Sequence, residues 1–156
     1  IEELQMTASW TMGHRDEAAF YAQRWIDSEK SASESTFAWN VLAEIALETD
    51  EPDHALWVTL NPIVFSRPNL PRHLSQTYEI AIVAAHKSGH SLYARELLEE
   101  MRSREIPWPI DSRRANVIEQ LDSIASNDPE RFYFRPTSNS VQERSAKTLS
   151  KLVGSP

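Results

Sequence analysis

Cysteine is absent from all 156 residues, which excludes disulfides and thiolate metal sites. Glycine occurs three times, at Gly13, Gly89 and Gly154, so there is no glycine-rich phosphate loop, and neither a nucleophile elbow nor a metalloprotease pattern is present. No apolar run approaches the roughly 20 residues that span a bilayer, so no membrane partner is expected. Basic side chains are scarce in the first part of the chain. Residues 1–60 carry 12 acidic and 3 basic groups, whereas residues 61–156 carry 11 and 13, for a net charge of −7. Affinity for nucleic acid rests largely on Lys and Arg neutralising phosphates, and the N-terminal half offers few. No catalytic residue, cofactor, metal or small-molecule substrate is expected.

What is present is self-similarity. Residues 77–101, TYEIAIVAAHKSGHSLYARELLEEM, read as two amphipathic helices joined at Ser88-Gly89. Tyr78, Ala81, Ile82 and Ala85 recur at helical spacing in the first helix, as do Ala94, Leu97, Leu98 and Met101 in the second. Gly89 ends the first helix, since glycine enters the left-handed region without steric cost. An ungapped overlay at an offset of 39 places Asp50 on Gly89 and Ala55 on Ala94. A second at 76 places Gly13 on Gly89 and Ala18 on Ala94. A short residue at that point lets paired helices approach closely. A period in the high thirties predicts stacked helical hairpins, because one hairpin cannot bury its own apolar face.

The expected fold class is therefore all-α: a right-handed α-α superhelix, or solenoid, of about three hairpins with a C-terminal capping helix and a polar tail. Hairpins are expected over 2–29, 35–65 and 71–103, with the cap over 111–126. Leu4, Met6 and Trp10 should face inward from the first helix, and Ala18, Ala22, Trp25 and Ile26 from the second. Phe37, Val41, Leu42 and Ile45 form the stripe of the third. Asp50 is positioned to cap the helix that opens at Pro52, and Pro62 should kink or end that helix. Asp111 should cap the last helix, with Ala115, Ile118, Leu121 and Ile124 inward. Trp108, between Pro107 and Pro109, is expected to plug the end of the array. Residues 127–156 read as a polar, partly disordered extension with a short helix over 141–152. The chain begins at Ile1, so it is expected to be part of a longer or processed product, and the absence of a targeting peptide carries no weight.

Residues 77–109 resemble the pentatricopeptide repeat family, through Thr77-Tyr78, Lys87-Ser88-Gly89, Ala94, Leu97-Leu98-Glu99-Glu100-Met101 and Ile106-Pro107. Residues 36–60 resemble the same unit with Asp50 in place of glycine, and residues 2–29 keep Gly13 and Ala18. The tetratricopeptide family is the looser relative. The pentatricopeptide resemblance implies organellar, mostly mitochondrial, RNA processing or expression, with single-stranded RNA read by one polar residue near the start of each first helix and one at the repeat end. Those positions fall on Asn40, Glu79 and Pro109; Glu79 and Pro109 depart from the family pattern. Arg72, Arg102, Arg104, Arg113 and Arg114 are the phosphate candidates. The competing expectation is a cytoplasmic scaffold of tetratricopeptide type whose acidic face receives a basic protein partner. His86 and His90 stand four apart, a spacing that can serve zinc, but Gly89 falls between them at the helix end.

Overall fold

The computed structural model describes residues 2–28, 35–65, 73–124 and 134–153. Among them the chain is all-helical, in eight helices without a strand. These are α1 (Glu2–Thr11), α2 (Arg15–Ser28), α3 (Thr36–Glu48), α4 (Pro52–Phe65), α5 (Leu74–Lys87), α6 (Ser91–Ser103), α7 (Asn116–Asp122) and α8 (Ser138–Val153). From α1 to α7 each helix packs against its successor, and α1, α3 and α5 also touch in series. None of the helices is long and apolar enough to cross a membrane.

The three hairpins turn in the same way. Gly13, Asp50 and Gly89 all adopt positive φ, at 79°, 58° and 85°. Behind each, the next amide reaches back to close the helix end: His14 to the Ser9 carbonyl, Glu51 to that of Ala46, and His90 to that of Ala85, each at 2.8 Å. The left-handed residue donates its own amide three residues back, to Trp10, Leu47 and His86 respectively. This is the Schellman arrangement, which satisfies carbonyls that a helix C-terminus leaves orphaned. Glu105, at φ 58°, closes α6 by the same two bonds, and the chain leaves it as an irregular strap over residues 106–115. Asp50 is thus the residue that ends α3 and does not cap α4, because a cap needs an extended backbone rather than a left-handed one.

Ala18, Ala55 and Ala94 follow the three turns by five residues and are fully buried. Around them lie Leu42, Leu56, Leu60, Tyr78, Ile82, Leu97 and Met101, all within one core. Met6 and Ala22 are buried, while Trp10, Trp25, Ile26 and Phe37 pack against that core while partly exposed. Pro62 does not end α4: the helix runs on to Phe65. The three residues beyond the proline are kept helical by packing, since Ile63 is buried.

Two further expectations are corrected at the C-terminal end. The last helix before residue 125 starts at Asn116 and not after Asp111, because the Ser112 hydroxyl accepts from the Arg114 amide at 3.1 Å and the Arg114 side chain is drawn to Glu44 and Glu79. Of its expected stripe Leu121 is buried and Ile118 and Ile124 pack against the core, whereas Ala115 is exposed and Val117 is buried instead. The polar extension supplies α8, which lies against α4 and touches α2 and α3. Val141, Ser145, Thr148 and Leu149 are its buried stripe, and Asn61 of α4 donates to the Ser145 hydroxyl at 3.1 Å. Ahead of it, Phe134 sits among Trp57, His90 and Tyr93, stacked on the His90 ring at 4.4 Å.

Candidate functional site

A cavity of about 390 Å³ opens over α1, α3 and α5, roofed on one side by residues 109–114. Its apolar walls are Trp10, Phe37, Val41 and Ile80; its charged groups are Glu44, Glu79, Asp111, Arg113 and Arg114. The groove exists because the first helices of successive hairpins lie side by side. That places Asn40 and Glu44, one turn apart on α3, beside Gln76 and Glu79 of α5.

Arg114 bridges the two helices from above. It grips Glu44 with two parallel bonds, Nη2 to Oε2 at 2.7 Å and Nη1 to Oε1 at 3.0 Å, and Nη1 also donates to Glu79 Oε1 at 3.0 Å. Two-pronged guanidinium–carboxylate pairing is directional, and lysine cannot reproduce it. Burial pushes the Glu79 carboxyl above the usual carboxylate range, outweighing the hydrogen bond and charge of Arg114, which pull it down; the nearby Glu44 adds to the rise. The Arg114 guanidinium is held still more firmly protonated than usual, chiefly by its hydrogen bond to Glu44.

The residues singled out from sequence meet different fates. Asn40, Glu79, Arg113 and Arg114 line the one groove. Asn40 is buried, with its amide nitrogen donating to the His73 carbonyl at 3.1 Å and its oxygen accepting from Thr77 Oγ1 at 2.7 Å. The side chain proposed to meet a base is thus engaged in holding α5 on α3. Arg113 is exposed at the rim of the groove. Arg102 and Arg104 stand elsewhere: Arg102 pairs with Asp122 of α7 at 3.4 Å, and Arg104 donates to the Tyr78 hydroxyl at 2.7 Å. Arg72 lies outside the described residues. His86 and His90 take separate partners, His86 with Ser91 and Gln120, His90 with the Phe134 ring. Among the described residues no three His, Asp or Glu side chains gather as a metal site.

Glu44 is the groove residue that sequence reasoning missed. Its signal was available, since it stands one turn beyond Asn40 on the same face, where a charged side chain would be near whatever Asn40 meets. Comparison of the chain with protein-family models, with curated proteins and with solved structures gave no match.

Proposed function

We propose that the three hairpins stack into a right-handed superhelix with α7 as its cap, and that the chain is a protein-binding scaffold. Its receiving surface is the groove over α1, α3 and α5, the inner face of such a stack. One observation carries this reading: of the two cations at the groove, Arg114 is already neutralised by Glu44 and Glu79, which leaves Arg113 at the rim against three carboxylates in the lining. With Asp111 also at the lining, the groove offers carboxylates beside Trp10, Phe37, Val41 and Ile80. Apolar walls with a few fixed charges suit a peptide segment. Phosphates would meet repulsion there, because strand binding depends on cations free to displace counterions.

The pentatricopeptide-like alternative, action on organellar RNA, retains support from the wording of residues 77–109 but draws little from this surface. Asn40 is committed to His73 and Thr77, and Arg102 and Arg104 are directed at protein partners. The two readings separate in a paired experiment. Peptides selected from a displayed random library on the wild-type chain should lose binding to Glu44→Lys. A mixed single-stranded RNA oligonucleotide should show no binding at low salt. Tight RNA binding that weakens steeply with salt, together with peptides indifferent to Glu44→Lys, would overturn the scaffold reading.

A further inference from the structure

We infer that Glu44 and Glu79 form a receptor for an arginine side chain of the partner, and that Arg114 is its built-in occupant. This rests on the groove being a peptide site and adds the chemistry of the residue it reads. The two carboxylates belong to different hairpins, and Arg114 of the strap holds both side chains. Each is carried on a regular helix, and α3 is fixed to α5 by the Thr77–Asn40–His73 hydrogen bonds. The backbone positions of the receptor are thus set by the two helices, so a ligand has only to orient the side chains.

The occupant, by contrast, comes from an irregular segment, seated at one end by Ile106 and Trp108 against the core and turned near the cation by the Ser112–Pro109 and Arg114–Ser112 hydrogen bonds. Between the end of α6 and the start of α7 the backbone is neither helix nor strand over residues 106–115. Ile110 is fully exposed, so the strap's apolar tip packs against nothing. The Trp108 indole N–H is buried and meets no acceptor among the described residues. Beside the ion pair the cavity continues to Trp10 and Phe37, leaving room for the residues that flank an incoming arginine.

Exchange of one guanidinium for another is the chemically balanced event at this place. A partner arginine that replaces Arg114 keeps both carboxylates paired throughout. A segment without arginine that displaced Arg114 would leave Glu79, whose side chain is 10% exposed, without its cation. Lysine brings the charge but not the two-pronged fit to Glu44. The geometry therefore selects arginine over lysine, and the strap sets a threshold that only an arginine-bearing segment clears.

The test has two arms. In the first, Arg114→Ala is melted with millimolar methylguanidinium, with methylammonium at equal ionic strength as the control. Methylguanidinium should raise the melting temperature of the variant, leave the wild type unmoved, and surpass methylammonium. Equal effects of the two cations on the variant, or of methylguanidinium on both proteins, would overturn the receptor. Should Arg114→Ala fail to fold, the same titration is run on Arg114→Gln. In the second arm, a fluorescein-labelled peptide of alternating leucine and arginine is titrated against wild type and Arg114→Gln. Its affinity should rise at least about tenfold in the variant, and its lysine twin should gain clearly less. An unchanged affinity or an equal gain for the lysine twin overturns the built-in occupant. Rescue by methylguanidinium with no peptide binding to either protein would keep the guanidinium receptor and remove the peptide-scaffold reading instead.

Discussion

Glu44 on α3 and Glu79 on α5 share a single cation, Arg114, at 2.7 Å and 3.0 Å. The two ends of this bridge are not equal, since the Glu44 side chain is 28% exposed and that of Glu79 only 10%. Removing the cation therefore strands Glu79 more severely. Arg114→Ala should lower stability by about 1–3 kcal/mol, below the range for fully buried pairs because Glu44 and Arg114 keep some solvent. Glu44→Gln should cost less than about 1 kcal/mol, since Arg114 retains Glu79. Thermal unfolding followed by circular dichroism reads both. A larger loss for Glu44→Gln than for Arg114→Ala would show that the bridge is not organised around Glu79.

The pH dependence follows from the direction of the Glu79 shift. Its carboxyl is raised above 4.5 in the folded chain, burial being the main cause. Between the unfolded and folded values the native state holds the extra proton, so this group's contribution to stability falls as pH rises through that window. Without Arg114 its hydrogen bond and charge no longer lower the Glu79 value, only the weaker Ser112 hydrogen bond does, and the window widens upward. The deficit of Arg114→Ala relative to wild type should thus be small at pH 4 and grow toward pH 7. Urea titrations at the two pH values measure it, and a deficit independent of pH would contradict the assignment.

The repeated turns give opposite expectations for two substitutions of the same kind. At Gly89 an added methyl group would meet no atom within 4 Å, so Gly89→Ala is opposed only by its φ of 85°. The expected loss is about 1–2 kcal/mol. Asp50 holds φ 58° with a side chain already present, and Asp50→Gly should gain up to about 1 kcal/mol. Denaturant midpoints at constant m-value decide it. Were Asp50→Gly destabilising, the carboxylate would be contributing something beyond the turn.

These turns were legible in the sequence because they depend on single residues and short spacings. Gly13 and Gly89 are marked by conformational need, Asp50 only by its place in the overlay, since its residue type reads as a cap, and Ala18, Ala55 and Ala94 by the size that close packing allows. The groove was half legible. Asn40 and Glu79 were found by their matched places in two hairpins, but what each side chain does there depends on neighbours 33 to 37 positions away. Arg114 reaches Glu44 across 70 positions through an irregular strap, a contact no periodicity encodes. The packing of α8 was hidden for another reason: its buried stripe includes Ser145 and Thr148, whose hydroxyls are satisfied by Gln142, Asn61 and Arg144 and so read as a wet face.

Asn40 and Thr77 supply a prediction about how the hairpins are joined. The single hydroxyl proton of Thr77 is shared between Asn40 Oδ1 at 2.7 Å and the His73 carbonyl at 3.1 Å, while the Asn40 amide nitrogen donates to that same carbonyl. The three groups form one closed set at a buried place, so removing one member leaves the others short of partners. Asn40→Ala and Thr77→Val should each cost about 1–3 kcal/mol, and the double variant clearly less than their sum. Additive losses in a double-mutant cycle would mean that the two side chains act independently.

The last prediction concerns α8, whose polar composition hides a structural role. Val141 is fully buried one turn ahead of Ser145, on the face that meets α4. Val141→Asp would place an unpaired carboxylate there, and the chain can avoid that cost only by releasing the helix. Gln142→Asp, one residue on and exposed, changes charge equally without entering the interface. If α8 covers α4, hydrogen exchange measured by mass spectrometry should show lost protection in both 138–153 and 52–65 for Val141→Asp, and in neither for Gln142→Asp. Loss confined to 138–153 would mean that α4 is stable without its cover. In that case the body made by α1 to α7 would be complete before the C-terminal helix is added, and α8 would be dispensable to the groove on α1, α3 and α5.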